Sequence, residues 1–286
     1  LEIPSEKYTH FVSSTPTFCM HPSDSNKLYV NKRFVNYYIN DQGGYDNQEY
    51  IESKNVFTEL YFDNETESWT VVKESFLGYV EEYDNRYKGL EDVRIMPFGN
   101  NIYYTANRGL NGNEMVVEHG WINQNSFETE DMKHLQYEYV RQIEKNWVMF
   151  EDNNTIKMVY NWFPMVIGTA KENRFKTIQK IPTPSLFKWL RGSTNGISVG
   201  NEIWFLCHVV SYEDRRYYYH IIVMLDKTTQ KVRYTRLFTL EQEKVEYALG
   251  MIYRNNEDDL WIGYSIMDRE TKYMSIPVSV IQNMVK

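Results

Sequence analysis

The sequence predicts an all-β protein, a single five-bladed β-propeller over residues 1–286. Three observations carry this reading. First, a motif of β-forming run, polar turn and β-forming run recurs five times, starting near residues 17, 93, 147, 196 and 248. Apart from a longer first gap the spacing is about fifty residues, a period that fits propeller blades of several strands each better than a sandwich. Second, aromatic residues make up 16% of the chain, with 24 Tyr and 7 Trp, side chains that suit pleated surfaces and sugar-binding clefts alike. Third, helical periodicity is weak throughout, and only residues 128–141 and 185–190 are assigned as short helices.

The five hairpins occupy residues 17–38, 93–107, 147–162, 196–209 and 248–265. Their turns are Pro22-Ser23-Asp24-Ser25-Asn26, Gly99-Asn100-Asn101, Glu151-Asp152-Asn153-Asn154, Gly200-Asn201 and Asn255-Asn256-Glu257-Asp258. Clusters of Gly, Asn, Asp and Ser between apolar runs are hairpin chemistry, because these residues tolerate left-handed backbone or bond their own main chain. Further strands are predicted at 56–62 and 69–73, and at 217–226 and 232–238, each pair completing a four-stranded blade. Residues 40–55 and 74–88 are then loops on one end of the propeller, where insertions tend to carry function. Ile181-Pro-Thr-Pro184 is the best linker candidate, but it is short and falls between blades.

The bulk composition excludes several classes. A net charge of −8 and a pI near 5.4 argue against nucleic acid as a partner, which needs a basic face. No apolar run approaches the ~18 residues of a membrane-spanning helix. Two cysteines, Cys19 and Cys207, make no disulfide framework and read as buried thiols. The six His lack zinc-ligand spacing, so no metal is expected. Neither a Gly-rich phosphate loop nor a G-x-S-x-G elbow occurs, leaving a dinucleotide, P-loop or serine-hydrolase site unsupported. No signal peptide opens the chain, which favours a cytoplasmic location. It begins at Leu1, as if cut from a longer polypeptide with further domains.

In a propeller the innermost strands line a central channel, and ligands bind where their ends converge. Polar residues beginning or interrupting those strands are therefore the site candidates. They are Arg33 and Asn36 in the first hairpin, and Glu91, Asp92 and Arg94 before the second. Lys145 and Asn146 precede the third. Arg191, Ser193, Thr194 and Asn195 precede the fourth, whose strand then carries His208. Glu246 precedes the fifth and Asp268 follows it. Arg215-Arg216 reads first as an exposed strand start and second as an anion site. Carboxylates flanked by amides and aromatics are what a glycoside-active cleft needs, one acid protonating a leaving oxygen while the others hold hydroxyls. Arg, Lys and His in the same cleft offer a place for an anion such as phosphate.

Gly89-Leu-Glu91-Asp92-Val93-Arg94-Ile95 and Tyr103-Tyr104-Thr105-Ala106-Asn107 look like the Gly-x-Glu-Asp-Pro-Arg-Ile block and following Tyr-rich strand of glycoside hydrolase family 130. The chain thus resembles these β-mannoside phosphorylases and hydrolases, and their relatives, the mannosyltransferases and phosphorylases of glycosyltransferase family 108. Weaker echoes lie in Lys145-Asn146-Trp-Val-Met-Phe150, in Gly196-Ile197 with Trp204-Phe-Leu-Cys-His208, and in Val245-Glu246-Tyr247. The resemblance implies a five-bladed propeller and an inverting reaction on an oligosaccharide or sugar phosphate, with Asp92 as general acid. It implies sugar contacts from Arg33, Asn36, Glu91, Arg94, Asn146, Glu246 and Asp268, and an anion held by Lys145, Arg191 and His208. Inorganic phosphate or a sugar phosphate would be a co-substrate, with no cofactor. Val93 replaces the motif's Pro, and Arg191-Gly-Ser-Thr-Asn195 replaces a glycine-rich lead into the fourth blade. A hydrolase with Glu246 or Asp268 as base is one alternative, and a non-catalytic sugar-binding module of a longer glycosyltransferase is another.

Overall fold

A computed structural model of the chain describes residues 11–47, 49–81, 86–137 and 141–286. It contains five separate antiparallel sheets in chain order, the five blades of a propeller. Blade one comprises β1 (Val12–His21), β2 (Asp24–Val35), β3 (Ile51–Asp63) and β4 (Ser68–Phe76), with β5 (Tyr87–Lys88) added parallel to β3. Blade two is β6 (Leu90–Phe98), β7 (Asn101–Leu110), β8 (Glu114–Ile122) and β9 (Thr129–Leu135). Blade three is β10 (Val148–Glu151), β11 (Ile156–Trp162), β12 (Met165–Lys171) and β13 (Arg174–Ile181).

In blade four the inner strand is broken into β14 (Leu190–Gly192) and β15 (Ile197–Val199). Both pair β16 (Glu202–Tyr212), which is followed by β17 (Arg216–Asp226) and β18 (Val232–Tyr234). Blade five has three strands among the described residues, β19 (Glu246–Arg254), β20 (Asp259–Ile266) and β21 (Glu270–Pro277), and then a short helix α1 (Val278–Gln282).

The hairpin turns fall where the Gly and Asn residues demand. Gly99 and Gly200 both take positive φ in two-residue connections, β6 to β7 and β15 to β16, as the predicted turns require. The predicted strands at 56–62, 69–73 and 217–226 lie within β3, β4 and β17, whereas of the strand predicted at 232–238 only the first three residues form β18.

The helix expected over 128–141 is instead β9 over its described part, residues 138–140 lying outside the description. Its alternating exposed and half-buried residues belong to the outer edge of a blade, where the neighbouring polar side chains imitate a solvated helix face. Ser185–Trp189 is a 3-10 turn, close to the predicted short helix.

Each blade is apolar on both faces and packs against its neighbours, so the core is a ring of wedges rather than one centre. Trp147, Phe150, Trp204, Phe205 and Tyr264 are among the largest buried side chains. Cys19 and Cys207 are free thiols inside these wedges, and burial pushes both well up. The ring closes where β1 crosses blade five. There Gly250 and Gly263 leave room for Phe18, since a Cβ at either would lie under 3.0 Å from its ring. No helix among the described residues is long and apolar enough to cross a membrane.

Candidate active site

The charged prefix of β6 forms a bulge. Glu91 pairs with Asn107 and Arg94 with Thr105, so Asp92 and Val93 together oppose Ala106. Asp92 takes φ +52 to make the bend, a left-handed conformation that costs a non-glycine residue about 1 kcal/mol. Its carboxylate is turned into the centre of the ring, 7% exposed.

Three blades donate to that carboxylate. Arg33 Nη1 from β2 reaches Oδ1 at 3.1 Å, Tyr247 Oη from β19 donates to Oδ2 at 3.0 Å, and Asn107 Nδ2 from β7 lies at 3.5 Å. Arg33 is fixed in turn by Ser53 Oγ at 3.0 Å and bridges to Glu91 at 3.2 Å. Burial, and then the Asp92 charge, holds the Tyr247 phenol far above the ordinary tyrosine range, so it stays a donor.

Arg94 has a different position from the one its spacing suggested. Its guanidinium is buried and spent on protein groups: Ser193 O at 2.8 Å, Asp92 O at 3.1 Å and Tyr247 Oη at 2.9 Å. It locks the bulge to blades four and five and orients the Tyr247 hydroxyl, leaving no edge for a sugar hydroxyl.

The break in the inner strand of blade four supplies the next wall. Ser193 Oγ meets His208 Nδ1 at 2.7 Å, and the His208 ring stacks on Tyr218 with centroids 5.3 Å apart and planes 12° from parallel. Tyr247 approaches the same imidazole edge-on at 5.2 Å. Burial pushes His208 well below the usual histidine range, and the charges of Arg191, Arg94 and Lys145 push the same way, so the ring is neutral near pH 7.

Arg191 pairs with His208 in register across β14 and β16. With Lys145 and Asn146 it lines an open cleft of about 480 Å³ between blades three and four. Arg191 and Lys145 are exposed, and neither side chain has an ion-pair or hydrogen-bond partner among the described residues. The charges of both cations reach the His208 imidazole, and two exposed cations lining one cleft can receive an anion.

Asp268 stands across the cluster. Its oxygens accept from Tyr37 Oη at 3.0 Å and Ser265 Oγ at 3.4 Å, and its charge is felt by Arg33, Tyr45 and Tyr218.

Two predicted residues fall outside this arrangement. Asn36 is spent on the backbone, donating to Tyr50 O at 3.1 Å and accepting from Glu52 N at 2.8 Å. Glu246 is fully buried and accepts the backbone N–H groups of Leu240, Glu241 and Glu243 at 2.6–2.7 Å, capping a loop. Strand alternation sends Glu246 and Tyr247 to opposite faces, and it is Tyr247 that reaches Asp92.

Tyr247, Asn107 and Tyr218 join the cluster without a local sequence signal for it, although Asn107 sits directly across the ladder from Glu91. The Arg215-Arg216 pair, read first as an exposed strand start, is substantially buried, Arg215 being only 6% exposed.

No family model matches the sequence, and no curated protein sequence matches it. Solved structures do. A β-1,2-mannobiose phosphorylase from Listeria innocua, complexed with β-1,2-mannobiose, superposes with a TM-score of 0.67 at 11% identity, covering 99% of this chain and 94% of that one. A mannose phosphorylase from Leishmania mexicana in complex with phosphate ion gives 0.58 at 9% identity, with 95% and 86% coverage. An α-L-arabinofuranosidase from Clostridium thermocellum gives 0.51 at 12%, with 96% and 91% coverage. What is shared at these identities is the fold.

Proposed function

We propose that this protein is an inverting carbohydrate-active enzyme acting on β-mannosides or similar glycosides by phosphorolysis or glycosyl transfer, with Asp92 as general acid. The observation that carries the reading is a bulge-mounted carboxylate held by donors from three blades, one of which, Tyr247, also packs on a neutral His208 that feels the charges of Arg191 and Lys145. The structural likeness to two mannoside-related phosphorylases, together with the Glu91-Asp92-x-Arg94 block, points the same way.

In this reading Asp92, as general acid, gives a proton to the glycosidic oxygen as the bond from that oxygen to the anomeric carbon breaks. Phosphate, resting on Arg191 and Lys145, attacks the anomeric carbon from the opposite face and forms the new C–O bond with inversion. Arg33 and Glu91 bound the sugar, and Tyr247 sets the orientation of the acid. His208, being neutral, adds a directed hydrogen bond rather than charge. Transfer to an acceptor would use the same site with a sugar hydroxyl in place of phosphate.

Hydrolysis is the second reading, favoured by one observation: Asp268 is the carboxylate that faces the Asp92 cluster, whereas the oxygens of Glu246 are taken by three backbone N–H groups. Asp268 rather than Glu246 would then activate water.

Incubation with β-1,2-mannobiose, with and without phosphate, separates the readings. Phosphate-dependent release of mannose 1-phosphate supports phosphorolysis, and phosphate-independent release of mannose supports hydrolysis. Asp92→Asn is expected to lower the rate at least ~100-fold, the usual contribution of a positioned acid. Full activity in that variant removes Asp92 from the role, and binding of sugars without turnover leaves a non-catalytic propeller.

A further inference from the structure

Arg215, buried just before β17, and Arg216, half-buried at its first position, each enclose guanidinium nitrogens without the partners that buried guanidinium groups require. Arg215 Nη2 has only a 3.4 Å bond to Asn40 O and a contact of 3.8 Å with Met267 Sδ, while its Nε and Nη1 are closed off from solvent and unpaired. Arg216 Nη1 reaches Tyr45 Oη at 3.5 Å, and its Nε and Nη2 are likewise enclosed and unpaired. Asp268 bears on Arg216 electrostatically, but its oxygens are engaged by Tyr37 and Ser265 and it forms no ion pair with Arg216.

Two aromatic faces fix the Arg216 guanidinium, Tyr45 at 5.2 Å and Tyr218 at 5.6 Å. Tyr218 is the ring that stacks on His208, so Arg216 belongs to the wall of the candidate active site. The vacant Nε–Nη2 edge is the one that receives an oxyanion through two parallel hydrogen bonds. A buried charge is retained in a fold when something compensates it; Tyr45, Tyr218 and Asp268 do so in part, and the Nε–Nη2 edge of Arg216 is left without an acceptor among the described residues.

We propose that the sugar bound by this protein carries an oxyanion, as a hexuronate carboxylate or a sugar phosphate ester, which docks on the Nε–Nη2 edge of Arg216 with Arg215 behind it. The turn of residues 40–45 covers this edge and lifts to admit the ligand. It lies directly on Arg216, since a Cβ at Gly43 would be 3.0 Å from Arg216 Cβ, and its only bonds to the two arginines are the long ones from Arg215 to Asn40 O and from Arg216 to Tyr45 Oη. The proposal rests on the carbohydrate-binding reading of the site but not on its catalysis.

Calorimetric titration of the intact chain with mannose, mannuronate and mannose 6-phosphate tests it, with glucose and glucuronate as a second series. At least one anionic sugar is expected to bind tenfold or more tighter than its neutral parent, and which one does so distinguishes carboxylate from phosphate ester. That ratio is expected to fall toward one in Arg216→Met, to be intermediate in Arg216→Lys, which keeps the charge without the fork, and to persist in Arg191→Met. Should Arg216→Met fail to fold, as judged by circular dichroism, Arg216→Lys carries the comparison. A ratio near one in the wild type, a ratio unchanged in the Arg216 variants, or one abolished by Arg191→Met overturns the proposal. Because binding is read without turnover, a preserved ratio with no Asp92-dependent reaction would defeat the catalytic reading alone, and turnover with a ratio near one would defeat this inference alone.

Discussion

Tyr247 shows how residue identity and strand parity together build the site. Its hydroxyl accepts from Arg94 and donates to Asp92, so one phenol ties the bulge of blade two to blade five. The neighbouring carboxylate, Glu246, seemed the better candidate by chemistry, yet it faces a loop. Sequence reveals that a strand alternates, but not which parity meets the channel.

Two buried histidines make a pH prediction at the same scale. Burial lowers His220 from 6.5 to about 4, and His208 falls well below its ordinary value for the same reason. Both folded-state values are depressed, so the stability they confer is present above pH 6.5 and is lost as the pH falls toward 4, where only the unfolded chain takes up the protons. Each contributes a slope of about 1.4 kcal/mol per pH unit inside that window. Urea unfolding between pH 7 and 4.5 is expected to show stability falling on the acid side, with His220→Gln flattening the decline.

At the scale of elements, two irregularities shape the candidate site. The bulge in β6 brings Asp92 to the ring centre, and the gap between β14 and β15 places Ser193 and Asn195 there. Asn195 shows why the gap is tolerated. Its Oδ1 accepts Met149 N at 3.0 Å and its Nδ2 donates to Ile95 O at 3.1 Å, so it supplies from blade four the bonds that backbones of blades two and three lack. Asn195→Ala leaves both buried backbone groups unpaired and is expected to cost about 2–4 kcal/mol in denaturant unfolding. An unchanged midpoint would mean that water takes both places.

These irregularities are legible only in part. Glu91, Asp92 and Arg94 stand out because charges inside an apolar run need a reason. That Arg94 spends its donors on Ser193 O and Tyr247, from blades four and five, follows from contacts separated by 99 and 153 residues, which no local pattern displays. The helix expected at 128–141 failed for a related reason. An edge strand wet on both sides, such as β9, keeps neither the apolar alternation nor the β-branched richness that marks inner strands.

Over the whole molecule, stability depends on closing the ring. Among the described residues blade five has no fourth strand, and closure rests on β1 lying across β19 to β21. Phe18 fills the space that Gly250 and Gly263 leave, Thr15 and Ser265 share a hydroxyl contact at 2.7 Å, and Thr271 donates to Ser14 O. Phe18→Ala empties that seam and is expected to destabilise the fold by about 3–5 kcal/mol, read as a lower urea midpoint. A loss under 1 kcal/mol would show that the seam relaxes around the cavity.

The sequence by itself determined the all-β class, the count of five blades and the identity of Asp92 as a residue out of place in its strand. These rest on short-range signals: hairpin turns built from Gly and Asn, a repeat near fifty residues, and charges inside an apolar run. Tertiary structure alone decided which neighbours meet. It set Tyr247 rather than Glu246 beside Asp92, committed the donors of Arg94 to Ser193 O, Asp92 O and Tyr247, and buried Arg215 with Arg216 half-buried beside it, where the sequence reads as an exposed strand start. The reason is geometric. A propeller brings residues from every blade to one axis, and which side chain points along that axis depends on bulges and strand parity accumulated around the ring.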